Sequence, residues 1–262
     1  MDIMLVFETS GVGSIPASPA NPANKYPMRS EQDKQTIIKN ISDPYVLSSF
    51  VLQEERAELI ELFKTSPDRI QKNTGPLTLD VSREQLELPV FKNLLARLKE
   101  QLGNFDTFTV LFFYVEQPHI IHNDDSFEFP VCYKGINIPL ELEYISEPCG
   151  LPHLCFFDQY YLDGPAKFFN GSSEVPTYYN KCVYTYDDVH GCTTTLIDRK
   201  VKETYFSHLR DSWLTGLSVN TIIDWVPGNA IVFDTVRLHC ASNFIRQGVK
   251  SKLGLSIFTK VA

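Results

Sequence analysis

Several features that mark special classes of protein are scarce or missing in this chain of 262 residues. It has only 13 glycines and 16 prolines, which excludes a collagen-like or low-complexity protein. No apolar run approaches the roughly 20 residues that a membrane-spanning helix needs. The first residues, MDIMLVFETS, also lack the basic start of a signal peptide. We therefore expect a protein without a membrane segment.

Basic residues and paired cysteines are also in short supply. The 24 Lys and Arg against 32 Asp and Glu give a formal charge of -8, the wrong sign for gripping phosphate backbones. Extended nucleic-acid binding is therefore disfavoured, although a single nucleobase remains an open substrate. The 6 cysteines are scattered without a C-x-x-C pair, which favours free thiols and a cytoplasmic location. Nothing in the sequence indicates the oligomeric state.

Aromatic residues are plentiful: the chain has 2 Trp, 12 Tyr and 18 Phe, which favours strands. A Pro-, Ala- and Ser-rich stretch predicts an extended arm over residues 1–30, followed by one domain over residues 31–262. Helical spacing of apolar residues predicts two amphipathic helices within about residues 50–103. Their sequences are EERAELIELF and PVFKNLLARLKEQLG.

From about residue 105 to residue 262 the pattern changes to short apolar runs separated by turn residues, which predicts antiparallel strands. The strand candidates are FTVLFFYV, INIPLELEY, LCFFDQYYL, KCVYTY, TTTLI, NTIIDWV, AIVFD and KLGLSIFTKV. Polar interruptions over about residues 163–211 predict variable loops at the mouth of a barrel. The expected fold is α+β, mainly β: a jelly roll or partly open barrel braced on one face by the N-terminal helices.

Two separated motifs offer metal ligands. His122 and Asp124 are two residues apart, so in an extended backbone both side chains leave the same face. His239 comes after a Pro-Gly turn and the short apolar strand AIVFD, just beyond the predicted strand end. Two imidazoles and one carboxylate on one side of an ion leave its other positions open, an arrangement associated with non-haem Fe(II) oxygenases.

The last predicted strand supplies a cation. Leu253, Leu255 and Ile257 alternate with polar or small residues, so one face of this strand is apolar. If that face packs against the helices, Lys252 and Ser256 point into the barrel, where a buried ammonium needs an anionic partner. The alternative interpretation is a solvated edge strand, on which lysines discourage pairing with other chains.

The segment from about Leu111 to Phe258 resembles the double-stranded β-helix core of the Fe(II)- and 2-oxoglutarate-dependent oxygenases. The matching strings are HND at 122–124, NIPLE at 137–141, PGNAIVFD at 227–234 and LHCASN at 238–243. The resemblance implies a catalytic iron held by His122, Asp124 and His239, with 2-oxoglutarate and O2 as co-substrates.

The resemblance further implies a basic residue for the far carboxylate of 2-oxoglutarate, and here the chain departs from the commonest pattern. The residue is a lysine where arginine is usual, and it follows His239 at a longer distance. Lys252 fits best, because its spacing to Gly254 and Ser256 resembles the family's basic-x-small pattern. Lys250 and Arg246 remain alternatives.

Neighbouring polar residues extend or compete with this site. Tyr114, in the strand before the H-x-D motif, or Asn137, in NIPLE, could donate a hydrogen bond to the co-substrate, although either could be a core residue. Asp125 could replace Asp124 if the register slipped, but H-x-D is the family spacing. His119 is interpreted as structural, because a strand would turn it to the other side.

The favoured function is therefore an oxidoreductase, an Fe(II)/2-oxoglutarate dioxygenase that hydroxylates an unactivated C–H bond of a small molecule or a side chain. One alternative is a cupin-like metal-dependent isomerase or epimerase, which would share the barrel but not turn over 2-oxoglutarate. Another is a non-catalytic binding module on the same fold, which would be expected to have lost a metal ligand.

Overall fold

The computed structural model describes residues 29–71, 75–126, 131–145, 147–162, 164, 184–185, 197–214 and 216–261. The predicted arm over residues 1–30 lies outside the described residues except for its last two positions. Most of the predicted loop region 163–211 and nearly all of the predicted strand TTTLI also lie outside them.

Six helices are found in the described ranges. They are α1 (Glu31–Lys39), α2 (Gln53–Thr65), α3 (Arg83–Leu86), α4 (Pro89–Leu102), α5 (Arg199–Tyr205) and α6 (Asp211–Leu214), and a short 3-10 helix covers Phe244–Gln247. The two amphipathic helices predicted from the sequence correspond to α2 and α4. Helix α4 begins at Pro89 and ends before Gly103, whose φ of 81° is a left-handed conformation that favours glycine.

The sequence did not predict α1, α3, α5 or α6, and α5 lies inside the region predicted as loops. None of the helices in the described part of the chain has both the length and the apolar composition to cross a membrane.

The strands account for most of the ordered structure after residue 104. They are β1 (Tyr45–Leu47), β2 (Ile70–Gln71), β3 (Leu77–Asp80), β4 (Phe105–Val115), β5 (Cys132–Tyr144), β6 (His153–Tyr160), β7 (Tyr184–Thr185), β8 (Val219–Asp224), β9 (Ala230–Asp234), β10 (Arg237–Ala241) and β11 (Val249–Val261). Six of the predicted strands correspond to β4, β5, β6, β8, β9 and β11. Only β7 is described within the predicted strand KCVYTY.

The strands form two sheets whose connections produce a double-stranded β-helix. The larger sheet has the order β1-β9-β5-β11-β4-β3-β2. In the smaller sheet β6 pairs with β10, β7 and β8. From β4 onward the chain passes back and forth between the sheets, and every strand pairing in the described residues is antiparallel. The predicted jelly-roll core is therefore confirmed.

Two apolar clusters lie on opposite faces of the large sheet, one against the helices and one between the two sheets. The larger cluster joins α2 and α4 to the outer face of the large sheet, and its members from β11 are Leu253, Leu255 and Ile257. A second cluster, which includes Phe156, Trp225 and Phe233, fills the space between the sheets, here called the barrel interior. The apolar face of β11 thus packs against the helices, as its alternation predicts.

Candidate metal centre and anion site

The two histidines of the predicted triad lie directly opposite each other in the small sheet. His122 forms an isolated antiparallel bridge with His239. The His122 amide donates to the His239 carbonyl at 3.0 Å, and the His239 amide donates back at 2.8 Å. His239 lies beyond the end of β9 (Ala230–Asp234), as expected, but within a further strand, β10 (Arg237–Ala241), which the sequence did not predict. The bridge brings two residues far apart in the sequence into direct register.

Asp124 completes a cluster of three ligand atoms. Its Oδ1 lies 3.6 Å from His122 Nε2, and its Oδ2 lies 3.3 Å from His239 Nε2. One ligand atom from each of the three residues lies within 4.8 Å of the others. The spacing of His122 and Asp124 therefore places both side chains on one side, facing His239.

Backbone carbonyls fix the tautomer of both imidazoles. His122 Nδ1 donates to the Ile120 carbonyl at 2.7 Å, and His239 Nδ1 donates to the Arg237 carbonyl at 3.0 Å. A carbonyl can only accept, so in each neutral ring the proton sits on Nδ1 and Nε2 carries the lone pair. Metal-binding histidines are commonly oriented through such a contact to the other ring nitrogen. Both lone pairs lie on the side of the Asp124 carboxylate.

The electrostatics of the cluster favour an ionised carboxylate. Burial acts to raise the pKa of Asp124, but when the imidazoles are protonated on both nitrogens, attraction to His239, a hydrogen bond from the His239 ring and attraction to His122 together leave the pKa below its usual value. The side chains of His122 and Asp124 are each 20% exposed, whereas that of His239 is 3% exposed. The cluster is therefore open on the side of the H-x-D motif and closed on the side of β10.

Aromatic rings line the closed side. The ring centroid of Phe233 lies 4.8 Å from that of His239, and the centroid of Phe156 lies 5.7 Å from it. Both phenylalanines belong to the apolar cluster of the barrel interior. An ion held by the triad would thus have a dry wall behind His239, where charge interactions are strong.

Asp125 and His119, which lie close to the triad in the sequence, make other contacts. Asp125 is fully buried, and both of its carboxylate oxygens accept hydrogen bonds from the guanidinium of Arg29. Its carboxylate is therefore engaged elsewhere, which favours Asp124 as the ligand. The ring of His119 lies edge-on to that of His122 with a centroid separation of 5.6 Å. His119 is not part of the three-residue cluster in the described part of the chain.

Lys252 lies in the interior, on the face of β11 opposite the helix-facing leucines. It is 4% exposed, and its Nζ lies 4.5 Å from the ring centroid of Trp225 and 5.0 Å from that of Phe244. Among the described residues, no carboxylate forms an ion pair with this ammonium. Burial lowers the pKa of Lys252 to about 7. The side chain is therefore a buried amine that rests against aromatic faces, and burial disfavours its charged form.

Further along β11, the same face carries Gly254 and Ser256. A Cβ on Gly254 would lie 2.4 Å from Cζ of Phe113 and 3.0 Å from Cζ2 of Trp225, so only glycine leaves room for these rings. Asn137 accepts a hydrogen bond from Trp225 Nε1 at 2.7 Å and donates to Ser256 Oγ at 3.4 Å. Lys252, Ser256 and Asn137 are therefore connected through Trp225.

The other predicted co-substrate residues lie elsewhere. Tyr114 packs with the helix-facing cluster, because it alternates with Phe113 along β4, and its hydroxyl donates to Glu116 at 3.2 Å. Its expected role as a donor inside the barrel is thus not supported by its position. Lys250 is half exposed, with its Nζ 2.7 Å from Glu143 Oε1. Arg246 is exposed and donates to the Glu203 carbonyl at 3.1 Å.

Two residues that sequence reasoning missed contact the interior site. Trp225 follows β8 and touches Lys252, Gly254 and Asn137. Phe244, in the 3-10 helix, covers the ammonium from another side. Both stand among many aromatic residues, so no local pattern separated them from ordinary core residues.

Comparisons with known proteins give matches in structure only. No protein-family model matches the chain, and no curated protein matches it in sequence. Solved structures do resemble it. The α-ketoglutarate-dependent epimerase SnoN from nogalamycin biosynthesis has a TM-score of 0.44 and 14% identity over 89% of this chain and 85% of that one. EvdO2 from Micromonospora carbonacea, solved with 2-oxoglutarate, has a TM-score of 0.44 and 11% identity over 90% of this chain and 93% of that one.

A further similar structure is a prolyl-4-hydroxylase from Pseudomonas putida, with a TM-score of 0.44 and 10% identity over 87% of this chain and 98% of that one. Identity and structural similarity are low in all three cases. A function for this chain therefore has to be inferred from its own geometry.

Proposed function

We propose that the protein is an Fe(II)- and 2-oxoglutarate-dependent dioxygenase that hydroxylates a C–H bond of a small molecule or a side chain. The observation that carries this proposal is that two Nε2 atoms converge on the Asp124 carboxylate. The nitrogen of His122 lies 3.6 Å from one carboxylate oxygen, and that of His239 lies 3.3 Å from the other. Two imidazoles and one carboxylate are the donor set of non-haem iron oxygenases that leave positions open for other ligands.

The donor set fits Fe(II). His122 and His239 offer neutral imidazole nitrogens, and Asp124 offers an ionised carboxylate, so the three bring one negative charge toward a divalent ion. When bound, iron would supply the oxidising chemistry, with O2 and 2-oxoglutarate as co-substrates. The three side chains would hold the ion from one side, and the aromatic wall behind His239 would keep water away from it.

Lys252 is the proposed partner of the far carboxylate of 2-oxoglutarate. A buried ammonium without an ion-pair partner among the described residues costs stability, and a bound carboxylate would offset that cost. Ser256 and Asn137 are the proposed hydrogen-bonding groups beside it. Lys250 is less suitable because Glu143 already neutralises it, and Arg246 lies exposed in the 3-10 helix before β11.

The metal ligands and Lys252 are linked across the barrel interior. Phe233 contacts His239, and it belongs to the same apolar cluster as Trp225, whose ring lies against the ammonium. A 2-oxo acid has a chelating end and a far carboxylate, so it needs a metal and a cation placed in one cavity. This requirement separates the proposal from a cupin-like isomerase, which needs a metal but no cation for a co-substrate.

An anaerobic titration tests the proposal. Fe(II) followed by 2-oxoglutarate should produce a weak visible charge-transfer band, and admission of O2 should release succinate in the presence of a suitable substrate. Iron binding without the band would instead favour the cupin-like isomerase or epimerase. Failure to bind iron would favour a non-catalytic binding module.

The His239→Ala variant supplies the decisive control for the metal site. We expect its Fe(II) affinity to fall by more than about a hundredfold, because removal of a direct ligand should exceed the 10–100-fold effect of an outer contact. His153→Ala is the matched control, since His153 pairs with Asp224 outside the triad. Undiminished iron binding by folded His239→Ala would refute the proposed site.

A further inference from the structure

The H-x-D segment, residues 121–126, has little strand pairing to hold it. Its only bridge to a strand in the described part of the chain joins His122 to His239. Beyond this, the Asp124 amide donates to the Thr235 carbonyl at 2.8 Å. The backbone thus ties the segment to β10 and the turn before it at two places, and the orientation of the Asp124 carboxylate needs further support.

Two buried polar side chains flank Asp124 in the sequence. Asn123 is 4% exposed and Asp125 is fully buried. The Asn123 amide donates to the carbonyls of Tyr161 at 3.3 Å and Gly164 at 3.0 Å. Neighbouring residues of an extended backbone face opposite sides, so these side chains anchor the segment on the face away from the proposed metal.

Arg29 forms the second of these anchors. Its guanidinium donates to both oxygens of Asp125, and also to the carbonyls of Leu162 at 2.9 Å and Ser126 at 3.1 Å. The Arg29 side chain is only 6% exposed. A planar guanidinium that meets a carboxylate with two parallel bonds fixes orientation as well as distance.

Arg29 is itself held by the start of α1. The next residue, Ser30, is the N-cap of this helix, and its Oγ accepts a hydrogen bond from the Asp33 amide at 3.1 Å. Helix α1 docks through Ile37 into a small apolar cluster with Tyr160, Leu162 and Val236. The guanidinium therefore extends from a fixed helix end.

We propose that Arg29 is a positioning residue for the metal site, which orients the Asp124 carboxylate by clamping Asp125. This inference depends on the proposed function, since it assumes that Asp124 is a metal ligand. Without the clamp, the segment would keep its bridge to β10, but residues 124–126 could rotate and the carboxylate would lose its alignment with the two Nε2 atoms. Arg29 acts through Asp125 and not by contact with metal or substrate.

The test measures metal binding directly, with Co(II) alone as the probe and its visible d–d absorption as the record of ligand geometry. The variants are Arg29→Lys, which keeps the charge but loses the paired donors, and Arg29→Met, which removes the charge. Arg97→Met is the matched control, because Arg97 makes a similar two-bond contact with Glu55 between the helices. Titrations are made well below the unfolding temperature of each variant.

We expect Arg29→Met to weaken Co(II) binding about tenfold and to shift the d–d bands, in the range found for outer contacts of metal ligands. Arg29→Lys should have a Co(II) affinity between those of Arg29→Met and the native protein. Such a partial effect separates a change in ligand orientation from a general loss of folding. Arg97→Met should be less stable than the native protein but should bind Co(II) with native affinity and spectrum.

Two results would overturn the inference, and they differ in meaning. If the native protein binds Co(II) and loses it on His239→Ala, but Arg29→Met keeps native affinity and spectrum, the clamp has no positioning role while the proposed function stands. If native and His239→Ala proteins bind Co(II) equally, the ion is not held by the proposed triad, and the inference falls together with the proposed function.

Discussion

The two halves of the proposed active site are held in place by different means. Strand β11, which carries Lys252, has 13 residues and is hydrogen-bonded to β4 on one side and β5 on the other. Among the described residues the H-x-D segment has one bridge, to His239, and depends on Asn123 and Asp125 for further support. The Lys252 side chain is thus fixed by the core of the fold, whereas Asp124, the proposed metal ligand, is fixed by a few polar contacts.

This difference has a consequence for mutations. Changes on the outer face of β11 should affect the whole fold before they affect the site. Changes around the H-x-D segment should affect metal affinity more than global stability. The Arg29 variants probe the H-x-D half, and substitutions in β11 probe the other half.

The largest expected effect is on stability. Leu255 is fully buried between β11 and the helices, so Leu255→Ala should lower the free energy of unfolding by about 2–5 kcal/mol. Denaturant titration measures this loss. The Co(II) affinity of folded Leu255→Ala should equal that of the native protein, because the substitution leaves the small sheet intact. A tenfold weaker affinity would mean that the two halves are not independently held.

How far the sequence predicted this architecture depends on the range of the interactions. The alternation of Leu253, Leu255 and Ile257 with Lys252 and Ser256 is local, and it correctly predicted which face of β11 packs against the helices. The helices α2 and α4 follow from apolar spacing in the same way. The short strands β1, β2 and β3 carry too few residues for such a pattern, and they form because longer strands offer them an edge.

The site was predictable in its residue types but not in its supports. The spacing of His122 and Asp124 carried a local signal, and the structure brings both to His239. The ion pair between Arg29 and Asp125 joins residues 96 positions apart, and no sequence period marks it. Strand β10 was missed because polar residues interrupt its apolar pattern, although they are buried. Buried polar networks are specified by tertiary contacts, which a single sequence does not display.

The second prediction concerns the co-substrate. Lys252→Met replaces the ammonium by an apolar chain of similar size, and we expect 2-oxoglutarate affinity to fall by at least about tenfold, since a charge-assisted contact contributes roughly 1.5–3 kcal/mol. Fe(II) affinity should be unchanged. Anaerobic titration of the charge-transfer band measures both. Stability should be equal or higher, because the variant removes a buried charge that has no ion-pair partner among the described residues.

Lys250→Met is the matched control for this variant. Lys250 lies two residues earlier in the same strand, is half exposed and pairs with Glu143. Its substitution should leave 2-oxoglutarate binding unaltered. If Lys250→Met weakened binding while Lys252→Met did not, the co-substrate cation would have to be reassigned to Lys250.

The last prediction concerns the dependence of stability on pH. Burial lowers the pKa of Lys252 from 10.5 to about 7 in the folded protein, so between these values the unfolded chain binds more protons than the folded one. Stability should therefore rise as the pH increases from about 7 to about 10, by at most roughly 1.4 kcal/mol per pH unit from this group.

The difference in unfolding free energy between native protein and Lys252→Met isolates this contribution from other titrating groups. Cys155, Cys240, His153 and His208 also lie close enough to interact with the ammonium. Saturating 2-oxoglutarate should flatten the dependence, because a carboxylate beside the ammonium keeps it protonated. A pH-independent difference without 2-oxoglutarate would contradict the lowered pKa.

The pair of mutual backbone hydrogen bonds between His122 and His239 has a further consequence for how an ion would enter the site. Because the two imidazoles are already joined through the main chain, folding itself bears the entropy of bringing them together. Two of the three donors of an arriving ion are thus preorganised, and only the Asp124 carboxylate has to be ordered when the ion binds. Loading and loss of the metal should therefore be reversible without unfolding, and the amide protons of both histidines should resist solvent exchange even in the apoprotein.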